Sequence, residues 1–475
     1  MRIRKLFRIH AISTAIVCLL LGGLGCNRRD TATGKVEISY WEKLTGFEGD
    51  AVQAVIDDFN RSQDRIFVKR LTVGEIERKF MLATAGGDPP DVVGLWTSSI
   101  PEFSEKGALT PLNEMLERAG VKREDYIPVF WDLCSHHGCM WALPSTPRSD
   151  ALHWNKKLFR EAGLDPERPP HGLDELDAMS EKLTIVDVDR GGRTVRVRFP
   201  ELTDEEKRAK HFKLVQAGHL PQEPGWWMPL WGYWFGGRLW DGERRITATD
   251  PGNVAAFEWL RQHAEKYGVE NLQSFGASFG NFTSPQSPFL SGKVAMVLQG
   301  VWMYNFIEKY APQLEWGAAP FPARDPRQFP LMTIVEADVL VIPKGARHVR
   351  EAFEFIRYVN TQEPMEKLCL GQRKFSPLAK VSDGFISSHP NPCIQTFIEL
   401  AKSPHAQVVP RLSVWGEYND EMQVAVDRVL SLQATPEQAL EQVQERMQWK
   451  LDRVMRRWDA VKDERLKEWG SYDAR

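Results

Sequence analysis

Cysteine is scarce, with six residues in a chain of 475, and a chain of that length buries cores that need no covalent staples. An excess of either charge is also lacking. The 61 basic and 64 acidic residues leave a net charge of −3, which excludes a strongly basic nucleic-acid binder and an acidic disordered chain. No low-complexity tract or internal repeat is present, so solenoids and propellers are excluded. The chain has no P-loop, no dinucleotide fingerprint, no H-E-x-x-H and no paired C-x-x-C. Gly276-Ala-Ser-Phe-Gly280 fits the nucleophile-elbow pattern, but polar Glu270-Asn-Leu-Gln273 stands where a buried strand is needed, and Pro285 and Pro288 bar an immediate helix. Nothing in the chain demands catalysis, a cofactor or a metal. What it has in abundance is tryptophan: 17 residues, a high count for this length and a first hint about ligand chemistry.

The first residues read as an export segment. Arg2, Arg4, Lys5 and Arg8 precede a mostly apolar stretch, Ile9 to Leu24, and small residues lead to Cys26. Gly25-Cys26 resembles the end of a bacterial lipobox, with Gly23 in place of the usual Leu. The expectation is a signal peptide over 1–25, lipidation of Cys26 and a polar tether over 26–35. The other cysteines of the exported chain are Cys134, Cys139, Cys369 and Cys393. An even number in an exported protein suggests disulfides; proximity favours 134–139 and 369–393, though three pairings are open. Cys134-Ser-His-His-Gly-Cys139 also offers two thiols and two imidazoles, but the four are cramped for one tetrahedral metal, so a hairpin-closing disulfide is the reading taken.

Strand-like Val36–Trp41, a helix with Val52, Val55, Ile56 and Phe59 on one face, strand Ile66–Leu71, a second helix ending at Gly86-Gly87, and strand Asp91–Trp96 alternate as βαβ units do. In such sheets ligands gather at the carboxyl ends of strands, where Trp41 and Trp96 sit. Residues 141–154 read as an extended crossing between two α/β blocks. Ile185–Asp189 and Thr194–Phe199 flank Arg190-Gly-Gly-Arg193, a hairpin read as an insertion. Its Asp187-x-Asp189 start is no calcium loop, because position twelve would be Arg198. Between 221 and 242 lie Trp226, Trp227, Trp231, Tyr233, Trp234, Phe235 and Trp240 with no period. Some of these rings should line a surface; the rest would form a satellite core.

Several blocks, in order, resemble the sugar-binding type of bacterial extracellular solute-binding proteins, akin to maltose-binding protein. Gly86-Gly-Asp-Pro-Pro-Asp-Val-Val93 resembles the family's "GxxPDV". Ala151-Leu-His-Trp-Asn-Lys-Lys-Leu-Phe159 with Ala162-Gly-Leu-Asp165 is similar to "ALYYNKDLFEKAGLD". Phe289-Leu-Ser-Gly-Lys-Val-Ala-Met296 with Gly300-Val-Trp302 is similar to "FxxGKxAMxxxGxW", and Leu220-Pro-Gln-Glu-Pro224 resembles a maltose-type segment. The resemblance spans about residues 36–450; the hairpin and the cysteines depart from it. It implies an α/β, two-lobed periplasmic-binding-protein fold with interlobe crossing strands and a ligand cleft. The N-terminal lobe would take 36–147 and 339–390, and the C-terminal lobe 148–338 and 391–475.

The resemblance also implies a receptor, not an enzyme, delivering a carbohydrate to ABC transporter permease subunits. It would be a monomer, periplasmic or on the cell surface, held to the membrane by its lipid and binding no nucleic acid. Its ligand residues would be Trp41, Glu42, Trp96, Arg148, Trp226, Trp227, Trp231, Trp302, Glu336 and Trp415. Flat indoles cover the C–H face of a sugar, while carboxylates and a guanidinium fork bind its hydroxyls. For each indole the alternative is core packing, for Arg148 an interlobe salt bridge, and for Glu42 a solvated strand end. A binding protein for another solute and an exported carbohydrate-active enzyme stay as alternative functions.

Overall fold

The computed structural model describes residues 34–470; the signal segment 1–25, Cys26 and most of the tether lie outside the described residues. One 11-stranded sheet runs through the molecule. Its first part is parallel: Val36–Glu42 lies between Ile66–Thr72 and Val92–Trp96. The centre is an antiparallel pair, Ala142–Asn155 and Thr333–Val341, that serves both halves of the protein. Leu143 and Ala142 face Leu340 and Val341 at the first-half end, while Ala151–Trp154 pair with Val294–Gly300 and Trp316–Ala319 in the second half. The register of the central pair shifts between Ala337 and Val339. Phe212–His219 then runs parallel to Val294–Gly300, and the hairpin Ile185–Asp189/Thr194–Arg198 closes the far edge.

The cores explain this arrangement. In the first half, helix Gly46–Ser62 buries Val52, Val55, Ile56 and Phe59, the face expected from their spacing. Helix Val349–Val359 buries Ala352, Phe355, Ile356 and Val359, and Phe355 meets Tyr40 of the first strand at 5.8 Å. A second core gathers Phe159, Trp231, Trp234, Phe257, Phe321, Tyr418 and Leu440. A third lies under the hairpin and includes Val186, Val188, Phe212 and Tyr267. A small fourth core at the crossing strands holds Phe130, Ala151, Ala337, Phe375 and Phe397. The hairpin turn uses Gly191 and Gly192 at φ 70° and 81°, a conformation that costs glycine little.

Two expectations need correction. No disulfide forms at Cys134, Cys369 or Cys393. Cys369 sits in the first core with its Sγ 3.8 Å from Met365 Sδ, whereas Cys393 lies beside the fourth core. Cys134 and Cys139 are both buried in the first core, with Cys139 Sγ directed at the Trp469 carbonyl, 3.9 Å away. The tail also departs from the expected boundaries. Helix Pro436–Asp459 begins on the second core through Ala439, Leu440 and Val443, but Trp458 and Trp469 pack into the first. The chain end therefore straps back across the molecule, because its last indoles find their apolar partners there.

Candidate functional site

A cavity of about 980 Å³ lies between the two halves, at the carboxyl ends of the first and third strands. That volume is at the upper end of the ~300–1,000 Å³ typical of ligand pockets. One wall, from the first half, is mainly polar: Thr45, Glu48, Glu77, Ser98, Ser99 and Glu102, with Trp96. The facing wall is aromatic: Trp226, Trp227, Phe282, Trp302 and Phe306, with Trp415 beyond. The central strands supply the floor through Thr146, Arg148, Glu336 and Asp338. Strand alternation explains the floor, since residues two apart share a face.

The aromatic wall is a connected set. Trp226 meets Trp227, Trp302 and Phe282 at ring separations of 5.8, 6.0 and 4.7 Å. Trp227 is nearly fully buried and donates its indole N–H to the Leu298 carbonyl at 2.8 Å, which fixes the ring. Trp302 follows strand Val294–Gly300 and folds back over its last residue. A Cβ at Gly300 would lie 2.1 Å from the Trp302 ring, so only glycine there leaves the indole its place.

Arg148 joins the floor to this wall. Its Nη1 donates to both oxygens of Asp150 (3.0 and 2.8 Å), and Nη2 and Nε donate to Glu336 Oε2 (2.8 and 3.2 Å). Its guanidinium lies 5.0 Å from the Trp227 ring and 5.6 Å from that of Trp302. Burial alone would disfavour the charge, but Asp150 and Glu336 hold the guanidinium protonated more firmly than usual. Arg148 is thus both a cavity residue and a salt-bridge hub.

A second network was not legible in the sequence. Lys43 Nζ lies 2.9 Å from Asp338 Oδ1, and Lys374 Nζ lies 3.3 Å from Asp338 Oδ2 and 3.0 Å from Glu48 Oε1. Thr146 donates its hydroxyl to Asp338 at 2.9 Å. Burial pushes the Asp338 carboxyl up, but the two ammonium groups outweigh it and hold it well below the usual carboxylate range. Glu77 goes the other way: burial raises it despite the Ser99 hydroxyl, and Glu102 and Glu336 raise it further. The available signal for Asp338 was its place two residues after Glu336 on one strand face. Glu77 and Lys374 carried none.

Of the ten residues expected in the site, seven line the cavity: Trp96, Arg148, Trp226, Trp227, Trp302, Glu336 and Trp415. Three do not. Trp231 is fully buried among Trp234, Trp259 and Phe321, at ring separations of 5.1 to 5.3 Å. Trp41 packs on the first core, on the opposite sheet face to Tyr40 and Glu42. Glu42 is 2% exposed and accepts from the Tyr40 hydroxyl and the backbone N–H of Lys43 and Leu44. It shapes the loop that enters the cavity wall without reaching the cavity. Ser278 follows helix Val269–Gly276, not a strand, and donates to the Phe275 carbonyl at 2.6 Å, so the elbow geometry is not formed.

Comparison with known proteins adds three kinds of likeness. Residues 48–366 match the family described as bacterial extracellular solute-binding protein. The maltotriose-binding protein of Pyrococcus abyssi is 21% identical over 407 residues, covering 84% of this chain and 78% of that protein. The sn-glycerol-3-phosphate-binding periplasmic protein of Pectobacterium atrosepticum is 24% identical over 185 residues, 37% of this chain; the match spans only 40% of that relative's length. Among solved structures, CpMnBP1 with mannotriose bound superposes with a TM-score of 0.73 at 25% identity, covering 86% of this chain and 99% of that one. The two-lobed α/β architecture expected from the sequence is the one these neighbours share.

Proposed function

Since this chain belongs to the bacterial extracellular solute-binding protein family, we propose that it captures a carbohydrate between its two lobes and hands it to the permease of an ABC importer. The carrying observation is the pairing of an indole wall on one lobe with carboxylates on the other. Indoles cover the apolar face of a sugar ring, and carboxylates accept from its hydroxyls. A buried hydroxyl left without a partner costs ~1–3 kcal/mol, so Glu77, Glu102 and Glu336 would set stereochemical choice. The cavity volume gives room for more than one ring. Hinge closure would bend the two central strands near their register shift, between a first lobe of 36–147 with 339–390 and a second lobe built on 148–338. Export and anchoring through Cys26 complete the reading; no helix of the described residues is long and apolar enough to cross a membrane.

The alternative of a phosphate-bearing solute is less well supported by the charges. A phosphate needs convergent, uncommitted donors. Of the cations that line the cavity, Arg148 and Lys374 are already engaged by carboxylates, and Lys309 stands over the Phe47 and Tyr310 rings, which does not make a convergent set. The test is a thermal-shift panel of mono- and oligosaccharides with glycerol phosphate included. A ligand at a hundred times its dissociation constant adds ~2.7 kcal/mol of stability. A response to a sugar, with that sugar recovered unchanged, is the expected result. A response confined to phosphate esters, or turnover of the sugar, overturns it.

A further inference from the structure

The hairpin between Cys134 and Cys139 plays no part in the sugar cleft, yet it carries an ordered cluster of donors. Ser135–His136 pairs with Cys139–Met140, and the turn between them places His137 at φ 50° and Gly138 at φ 67°. In an extended strand, successive side chains point to opposite faces. The left-handed turn breaks that alternation, and the His136 and His137 rings lie 3.9 Å apart. Both reach one carboxylate at the end of helix Ile100–Glu105: Glu105 Oε1 lies 2.9 Å from His136 Nε2 and 3.2 Å from His137 Nε2.

From this geometry we propose a binding site for a zinc-like transition-metal ion, held by His136, His137 and Glu105. The three donor atoms lie within 4.8 Å of one another. A tetrahedral zinc with arms of ~2.0–2.1 Å sets its ligands ~3.3 Å apart, close to both observed Nε2–Oε1 separations. Two imidazoles and one carboxylate suit zinc and its neighbours; calcium and magnesium need more oxygen ligands than are gathered here. The Cys134 thiol lies buried in the first core and is not among the gathered donor atoms. The run that the sequence reads as a disulfide-closed hairpin thus contributes its two imidazoles, not its thiols, to a His2Glu set completed by Glu105.

The cluster is also held in place. The His137 ring stacks on Trp458 at 4.2 Å and 15°, and Trp141 donates its indole N–H to the His136 carbonyl at 3.0 Å. Glu105 is itself mostly buried at the end of its helix, so its carboxylate is held against the two rings. Both rings meet the same carboxylate oxygen through Nε2. The side chains of His136, His137 and Glu105 are 11%, 27% and 14% exposed, which leaves a path for the ion and a water as fourth ligand.

The ion would tie three segments together: helix Ile100–Glu105, the hairpin and the end of helix Pro436–Asp459. The first also carries Glu102 of the cleft wall.

The experiment uses tag-free protein lacking the signal segment, stripped with chelator and titrated calorimetrically with zinc chloride in the absence of sugar. One equivalent should bind and raise the melting temperature, and Glu105→Gln and His137→Asn should each weaken binding at least tenfold. Circular dichroism and retained sugar-induced thermal shift verify that both variants fold. Cobalt(II) on the unmutated protein supplies a readout that needs no variant, since a tetrahedral His2Glu site gives intense visible bands. No saturable binding, octahedral cobalt spectra, or zinc binding that both folded variants retain would each overturn the site. None of these outcomes depends on the sugar assignment.

Discussion

Trp226 and Trp231 stand five residues apart in one aperiodic run and occupy opposite environments. Trp226 is 40% exposed at the cleft, against Trp302 and Phe282. Trp231 is fully buried, and its indole N–H donates to the Pro221 carbonyl at 3.2 Å. The segment Met228–Phe235 is a 3-10 helix whose tight turn draws Trp231 and Trp234 inward behind the pair at its entrance. The difference separates two uses of tryptophan. A ring in the second core holds the lobe together in the absence of ligand, whereas a ring on the wall completes its contacts only when something fills the cleft.

The largest effect should come from the core member. Trp231→Ala removes a ring packed against Trp234, Trp259 and Phe321, and truncations of this kind cost ~3–5 kcal/mol. Denaturant unfolding without ligand reads that loss, while the fraction still folded should bind sugar with unchanged affinity. Retained stability would mean that the second core is looser than its geometry implies.

Acid should act on the same core. His219 is fully buried beside Trp259 and Phe321, with its Nδ1–H on the Met296 carbonyl at 3.1 Å and Nε2 unpartnered. His263 is enclosed beside Trp259 of that core, and His153 is buried between Trp316 and Phe397 of the neighbouring cores. Burial pushes all three imidazoles down to about 4, below the ~6.5 of an unfolded chain. Between those values the unfolded state binds more protons than the folded one. Stability is therefore full above pH ~6.5 and is lost as pH falls toward 4, by up to roughly 3 kcal/mol per imidazole. Urea midpoints measured from pH 7.5 downward should fall along that window, and His219→Gln should flatten the slope. A midpoint constant to pH 4.5 would contradict the buried, neutral assignment.

Trp302→Ala should reverse the pattern of Trp231→Ala. Sugar affinity should weaken by ~1–3 kcal/mol, roughly 5- to 150-fold, with little change in ligand-free unfolding. Gly300→Ala should reproduce the affinity loss without touching the ring's chemistry, because the new Cβ would occupy the space of the Trp302 indole. Calorimetric titration of both variants with the same sugar tests the point. Severe destabilisation by Trp302→Ala with normal residual binding would move that ring into the core group.

Periodicity made much of the fold legible. The face of helix Gly46–Ser62, the hairpin turn and the crossing strand Ala142–Asn155 stand near where apolar spacing, paired glycines and an extended Pro-containing segment put them, whereas the return crossing was implied only by the family resemblance. The division of the tryptophans was not legible, because a 3-10 turn surrounded by Gly and Pro has no amphipathic stripe to separate inside from outside. Asp338 and Thr146 were within reach, each two residues from a residue already singled out, Glu336 and Arg148. Lys374 and Glu77 come from distant segments and meet the site only through tertiary folding. The cysteines misled for a related reason: proximity in sequence says nothing of whether two thiols can align, and Cys369 and Cys393 end in different cores.

The smallest expected effect belongs to Trp226. Its ring is the most exposed of the indole wall, so it surrenders less water-accessible area on closure than Trp302. Residues at the rim of an interface exclude water more than they supply energy. Trp226→Ala should therefore cost ~0.5–1 kcal/mol of sugar affinity, about two- to fivefold, and leave ligand-free stability within ~0.5 kcal/mol. Its contact with Phe282, at 4.7 Å and nearly edge-on, adds a discriminating control. Phe282→Ala frees the ring to move; if Trp226 is a rim residue, that change should speed sugar release more than it slows capture. A loss at Trp226 larger than at Trp302 would show that the lobes close further than the burial in this conformation implies, with the exposed indole and not the half-buried one forming the main sugar platform.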